Sequence, residues 1–397
     1  MSSNERMPEC TTVTHKRCMA MQEFNFDLLE LCAPGVRGLK PYEPGKPISE
    51  LQREYGVKDV IKLASNENPL GASPKAISAV RDASAKLAIY PDGQTHELRQ
   101  AIAKRHMLAP ECITFGDGSD QNIEFLARAF LQPGNNVVIS QHAFAVYAIV
   151  SQAVGATIHF AAAYPATHPR MPYGHDLDAM LACIDERTRL VCIANPNNPT
   201  GTWLDDTSLL RFLEKVPQKV LVVVDEAYSE YVEESGYPDC SQWLKRFPNL
   251  VVTHTFSKAY GLAGLRIGYS LSHPLVAELL NRLRQPFNVN NLAQVGALAA
   301  LSDSEHLKKT LQVNRVGKRQ LEEGLQALGL NWIPSIGNFI CVDFKRPAMV
   351  IFQALLREGI IVRPVQNYGL PNHLRISIGL PDQNARLLDA LKKVLVN

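Results

Sequence analysis

The segment Thr255–Gly268 reads Thr-Phe-Ser-Lys-Ala-Tyr-Gly-Leu-Ala-Gly-Leu-Arg-Ile-Gly and follows an apolar run through Leu250, Val251 and Val252. A lysine ammonium ordinarily stays in water. Here Lys258 stands at the end of a strand pattern, beside the hydroxyl side chains Thr255 and Ser257 and ahead of a glycine-rich turn bearing Arg266. That is the setting of a lysine that forms a Schiff base to a phosphorylated cofactor. Two more segments share the design: Leu190–Gly201 (LVCIANPNNPTG) and Val220–Tyr228 (VLVVVDEAY) are apolar runs that end abruptly in polar groups. Such runs, apolar without alternation, imply strands buried on both faces of a largely parallel sheet covered by helices. Ligands of open parallel α/β sheets gather outside the carboxyl ends of the strands. Asn198, Asp225, Tyr228 and Lys258 are therefore expected to converge on one crevice.

Outward from this centre, β and α patterns alternate. Strands are expected at Ile61–Leu63, Ile113–Phe115 and Asn136–Ile139. Helices are expected from Ser73-Pro74, at Thr95–Arg105, Gln121–Leu131 and Phe144–Val154, with a long one after Leu292. A chain of 397 residues, 46% hydrophobic, exceeds what one core usually holds and implies about two domains. We divide it into a leader (1–34), an arm joining the small domain (35–66), a large domain (67–288) and a small C-terminal α/β domain (289–397).

A formal charge of +2, with no basic stripe, excludes the electrostatic footprint of nucleic-acid or membrane-surface binding. The eight cysteines form neither a CxxC pair nor a metal-ligand spacing; Cys192 and Cys341, in strand patterns, read as reduced core thiols of a cytoplasmic protein, and no metal site is expected. No apolar stretch reaches membrane-span length, and residues 1–20 lack an apolar signal region. That polar leader is expected to be disordered, or an extension ahead of an alternative start at Met21.

Gly116-Asp117-Gly118-Ser119-Asp120 lies between a strand and a helix, where free amide N–H groups and the helix dipole favour an anion; an ordinary capped turn reads equally well there. The loop matches neither the nucleotide P-loop nor the complete dinucleotide pattern. Asp225 taken singly reads as a cap, but four unlike polar groups at neighbouring strand ends are hard to explain by packing. Pyridoxal 5′-phosphate asks for this set: an imine lysine, a carboxylate for the ring nitrogen, donors to the ring oxygen and an amide-lined cationic phosphate cup.

These motifs, with Pro41–Gly56 (PYEPGKPISELQREYG), Lys62–Gly71 (KLASNENPLG), Tyr90–Gly93 (YPDG), Arg284–Gln294 (RQPFNVNNLAQ) and Asn367–Gly379 (NYGLPNHLRISIG), resemble the fold-type I pyridoxal-phosphate aminotransferases. Within that group the chain is similar to the histidinol-phosphate subfamily over nearly its whole length from Gly35. It departs in its leader and in Phe144, where many relatives carry tyrosine. The resemblance implies an α/β fold with a mostly parallel seven-stranded sheet and a smaller α/β domain. By the same resemblance Lys258 holds the cofactor and shuttles the proton, Asp225 keeps the ring nitrogen protonated, Asn198 and Tyr228 bond the ring oxygen, and Phe144 stacks on the ring. Gly118, Ser119, Asp120, Thr255, Ser257 and Arg266 form the phosphate cup, and Tyr90 reaches it from the partner of a homodimer with composite sites.

Arg363 and Arg375 lie in strand patterns, where burial without an anion is costly. Guanidinium forks suit a carboxylate or a phosphate, so these residues alone do not choose. In the histidinol-phosphate subfamily the pair, with Tyr42, grips a substrate phosphate. The expected reaction is transamination between histidinol phosphate and 2-oxoglutarate, in the biosynthetic sense imidazole-acetol phosphate with glutamate as amino donor. The rivals are an aromatic amino-acid aminotransferase and an amino-acid-phosphate decarboxylase. A cofactor-sensing regulator is excluded for want of room for a DNA-binding module.

Overall fold

The computed structural model describes residues 27–396; most of the leader, with the position of Met21, lies outside them. Among the described residues thirteen strands follow in chain order: β1 (Ile61–Lys62), β2 (Ile113–Gly116), β3 (Asn136–Ser140), β4 (Thr157–Ala161), β5 (Thr188–Ala194), β6 (Leu221–Asp225), β7 (Leu250–Thr255), β8 (Gly268–Ser272), β9 (Asn331–Ile333), β10 (Phe339–Asp343), β11 (Ile360–Ile361), β12 (Arg363–Pro364) and β13 (His373–Ser377). Seven of them form the central sheet in the order β2-β8-β7-β6-β5-β3-β4. Alternate residues serve opposite cores: Val222, Val224 and Val252 pack on one side, Val223, Val251 and Cys192 on the other. This double burial is why the strand segments carry unbroken runs of β-branched residues.

The sheet is parallel except at β8, which runs antiparallel to both β2 and β7. The reversal follows from chain length. Only the segment bearing Lys258 and one 3₁₀ turn, Ala263–Leu265, separates β7 from β8, and it contains no crossover helix of the kind that parallel pairing usually needs.

The small domain holds an antiparallel sheet, β12-β13-β10-β9, and the arm joins it where β1 pairs in parallel with β11. The division falls later in the chain than expected at residues 288/289. Helix Asn291–Leu301 packs on helix Pro74–Ala83, and its Ala293, Ala297 and Ala300 belong to the large core. Small residues permit that close approach: a Cβ on Gly296 would come within 3.0 Å of Val80. The long helix expected after Leu292 is two helices, the second (Ser304–Ala327) opening at Asp303, whose side chain accepts from the His306 amide. Leu321 and Leu325 of that second helix lie in the small-domain core. Among the described residues no helix is long and apolar enough to cross a membrane.

The two domains meet at Gly201, whose carbonyl accepts from the Ile336 amide at 3.1 Å. Its φ is +81°, and a Cβ there would lie 2.8 Å from the Ser335 backbone. Gly201→Ala is accordingly expected to lower stability by about 1–3 kcal/mol, read as a lower thermal midpoint in calorimetry. An unchanged midpoint would mean that this inter-domain contact yields freely.

Candidate active site

The carboxyl ends of β5, β6 and β7 and the loops after them meet the small domain around a cavity of about 410 Å³. Asp225 closes β6 and is buried. Its Oδ1 accepts from Thr253 Oγ1 at 3.0 Å and its Oδ2 from the Tyr147 hydroxyl at 2.7 Å. Burial pushes this carboxyl up from its ordinary range, while the two hydroxyl donors oppose the shift. Asp225 lines the cavity, and a carboxylate has about four acceptor sites. It therefore retains capacity for a cationic N–H donor.

Lys258 follows β7. Its Nζ donates to the Ser65 carbonyl at 3.0 Å and stands 5.8 Å from the centre of the Tyr228 ring. Burial first, and the Arg375 charge second, lower its amine to about 8, toward the neutral form that attacks a carbonyl. Asn198 takes the Arg375 guanidinium on its Oδ1. Because a guanidinium only donates, this contact turns the Asn198 NH₂ away from Arg375. Tyr228 lies buried, its hydroxyl accepting from Asn66 Nδ2 at 2.9 Å.

A cradle sits at the start of helix Ser119–Phe130. Gly118 has φ +80°, and a Cβ on it would lie 2.5 Å from Arg266 Nη2; one on Gly268 would lie 2.4 Å from the Ser119 amide nitrogen. The two glycines let the Arg266 side chain and strand β8 close on the amide-rich turn. Arg266 Nη1 donates to Ser257 Oγ at 3.4 Å, the Ser257 amide to Thr255 Oγ1 at 3.1 Å, and Arg266 Nη2 stands 3.6 Å from Asp120. With its side chain 43% exposed, Arg266 gains little from that ion pair and stays available to an anion.

The opposite wall is cationic. Arg363 and Arg375 are cross-strand partners on β12 and β13 and both are buried. Like charges so placed repel. Neither has a carboxylate partner among the described residues. The Arg363 side chain makes no hydrogen bond among them, and its guanidinium carbon lies 5.4 Å from the Tyr42 ring centre. Arg375 donates to the Ala64 carbonyl at 2.7 Å and leaves its Nε unpartnered. The Tyr42 ring meets Phe144 edge-on at 6.3 Å.

Every residue that the resemblance assigns to cofactor or substrate borders this cavity apart from Gly118 and Tyr90. Gly118 is the contact behind Arg266. Tyr90 is 78% exposed, stacked on Phe287 at 4.7 Å, away from the cavity of its own chain. Sequence reasoning missed Tyr147 and Thr253, which hold Asp225, and Ser65, Asn66 and Glu67, of which Ser65 and Glu67 line the cavity. Tyr147 lies three residues beyond Phe144, a helical repeat pointing to one face. No comparable signal marks Ser65 or Asn66.

Residues 58–391 match the family described as aminotransferase class I and II. Histidinol-phosphate aminotransferase 2 of Pseudomonas fluorescens strain Pf-5 is 57% identical over 93% of this chain and 98% of its own. The protein of that name from Pseudomonas aeruginosa is 55% identical over 94% and 99%. Among solved structures, histidinol-phosphate aminotransferase from Sinorhizobium meliloti in complex with pyridoxal-5′-phosphate superposes with TM-score 0.84 at 28% identity, covering 95% of this chain and 99% of that one. Thermus thermophilus aspartate aminotransferase, at 22% identity and TM-score 0.79 over 91% and 99%, shares the fold.

The lowered Lys258 amine leads to a measurable consequence. In protein free of cofactor, modification of Lys258 by an amine-selective reagent, followed by peptide mass spectrometry, is expected to rise with pH through a midpoint of about 8, below the ~10.4 of ordinary lysines. A midpoint matching the surface lysines would contradict the desolvated site.

Proposed function

The chain belongs to the class I and II aminotransferase family, and on that premise we propose that it is a pyridoxal-phosphate enzyme transaminating histidinol phosphate with 2-oxoglutarate, in the biosynthetic sense imidazole-acetol phosphate with glutamate. The observation that carries the substrate is the pair of buried cations Arg363 and Arg375, cross-strand neighbours without a carboxylate partner among the described residues. Two adjacent unpaired guanidinium groups call for a multiply charged anion. Histidinol phosphate brings a phosphate and no carboxylate. Relatives named for this substrate at 55–57% identity support the same choice.

The residues fit pyridoxal phosphate. The glycine-permitted cradle at Ser119 suits its phosphate, the spare acceptor capacity of buried Asp225 suits a protonated ring nitrogen, and the weakened ammonium of Lys258 suits a covalent bond to its aldehyde. When bound, the cofactor supplies an electron-withdrawing ring and a carbon that exchanges amino groups. The chain supplies the rest. Ser119 and Asp120 at the helix entrance, with Thr255, Ser257 and Arg266, would hold the phosphate, and Phe144 would cover one face of the ring. Asn198 and Tyr228 present donors to the ring oxygen. Lys258 Nζ, once free, would carry the proton from the substrate α-carbon to the cofactor; its lowered basicity suits both the uptake and the release of that proton near neutral pH. Tyr42, which lines the cavity beside Arg363, joins the arginine pair in gripping the substrate phosphate.

Mixing the holoenzyme with histidinol phosphate, phenylalanine or threonine phosphate separately, and following the cofactor absorption and release of carbon dioxide, tests the reaction. Conversion to the amine form with histidinol phosphate alone, and no carbon dioxide from phenylalanine or threonine phosphate, is expected. Arg363→Ala is expected to weaken histidinol phosphate about 10- to 100-fold and unphosphorylated histidinol little. An equal effect on both, or a stronger response to phenylalanine, would overturn the phosphate assignment.

The reading includes a cytoplasmic homodimer. The six cysteines among the described residues are free, which accords with a reducing compartment. Tyr90, exposed and stacked on Phe287 outside its own cavity, is taken to reach the partner's phosphate cradle. Co-refolding Lys258→Ala with Tyr90→Ala subunits is then expected to restore sites of wild-type cofactor affinity, since each mixed dimer has one site free of both lesions. A titration showing no such site would exclude the shared arrangement.

A further inference from the structure

Three consecutive residues of the arm each hold one group of the cavity. The Ala64 carbonyl accepts from Arg375, the Ser65 carbonyl from Lys258, and the Asn66 side chain meets the Tyr228 hydroxyl. Asn66 is wholly buried and left-handed, with φ +55°, a conformation that asparagine tolerates better than most residues. Its donors and acceptors can be followed one by one. The Asn66 backbone N–H donates to Ser377 Oγ at 2.8 Å, and Ser377 Oγ lies 2.9 Å from Asn66 Oδ1. Oδ1 carries no hydrogen, so in that second contact Ser377 is the donor. Ser377 therefore selects which end of the amide it faces, and the NH₂ end is left toward Tyr228. Tyr228 Oη is thereby made an acceptor of the Asn66 N–H. Its single hydroxyl hydrogen turns elsewhere, and the elsewhere is the cavity that Tyr228 lines.

We propose that Asn66 and Ser377 are positioning residues that orient the Tyr228 hydroxyl as a donor into the cavity, toward the ring oxygen of the cofactor. The inference rests on the pyridoxal-phosphate reading above and extends it to two residues that touch neither cofactor nor substrate in that reading. Ser377 lies on β13, two residues from Arg375, so the strand that supplies the anion-binding guanidinium also sets the polarity of the tyrosine. The charged groups acting on Tyr228 are Lys258, Arg375, Asp225 and Asp120, and all four remain in the variants below. Burial raises the Tyr228 phenol, which keeps its hydrogen in place to donate.

A donor to the ring oxygen draws off negative charge that otherwise holds the proton shared with the lysine-linked nitrogen. Losing the donor therefore raises the pH at which that proton leaves. The test is the pH titration of the visible absorption of substrate-free holoenzyme. Asn66→Gly keeps the left-handed backbone and removes the amide, and Ser377→Ala frees the amide to turn its oxygen to Tyr228. Each is expected to raise the midpoint by about 0.5–1 pH unit, the worth of one hydrogen bond, and by no more than Tyr228→Phe. Ser377→Thr, which keeps the hydroxyl, is expected to titrate as wild type. Folded Asn66→Gly and Ser377→Ala proteins with wild-type midpoints, beside a shifted Tyr228→Phe, would overturn the proposal and leave the cofactor reading standing. A wild-type chain that takes up no pyridoxal phosphate would overturn both.

Discussion

Burying the Lys258 ammonium with a backbone carbonyl, and no carboxylate, as its hydrogen-bond partner is the constraint on which the rest of the structure depends. A cation removed from water gives up its proton more readily; the Arg375 charge adds to the effect, and Asp120 and Glu67 oppose it only in part. The cavity must therefore be walled from solvent on the β7 side by the large sheet and on the other by the small domain. The short β7–β8 connection that forces the antiparallel strand also delivers Arg266 back to the helix entrance. One stretch of chain, Thr255 to Gly268, thus carries the amine, the hydroxyls and the cation of the cradle.

The small domain does more than cover the site. Strand β13 inserts Arg375 between Asn198 and the Ala64 carbonyl, and Ser377 beside Asn66. Both contacts act through donor and acceptor arithmetic. A guanidinium has only hydrogens to offer, so it selects the oxygen of Asn198. Ser377, already accepting from an amide N–H, spends its one hydrogen on the oxygen of Asn66. Two neutral side chains of ambiguous polarity are in this way given one orientation by partners on the same strand.

The uncompensated charge on that wall separates binding from folding. Adjacent buried guanidinium groups cost stability when empty, and an anion that bridges them recovers it. Substrate recognition is thereby linked to the closeness of the two domains, since Arg363 and Arg375 belong to the small domain and Asn198, Lys258 and Tyr228 to the large one.

The sequence by itself determined the elements and the chemistry that each carries. Unbroken β-branched runs required strands buried on both faces, and the polar residues at their ends, Asn198, Asp225 and Lys258, had to come out at one edge of the sheet because parallel strands all point the same way. The late domain boundary was not legible, since it turns on how small residues such as Gly296 and the alanines near it pack against a distant helix; the direction of β8 follows instead from the short β7–β8 connection, and the helix split from the cap at Asp303. Thr253, Ser65 and Asn66 were likewise hidden. Asn66 and Ser377 stand 311 positions apart along the chain, and their hydrogen bonds are properties of a closed pair of domains. Periodicity records which face a residue turns to the core; which atom it finds there is decided only when the tertiary structure brings the partner.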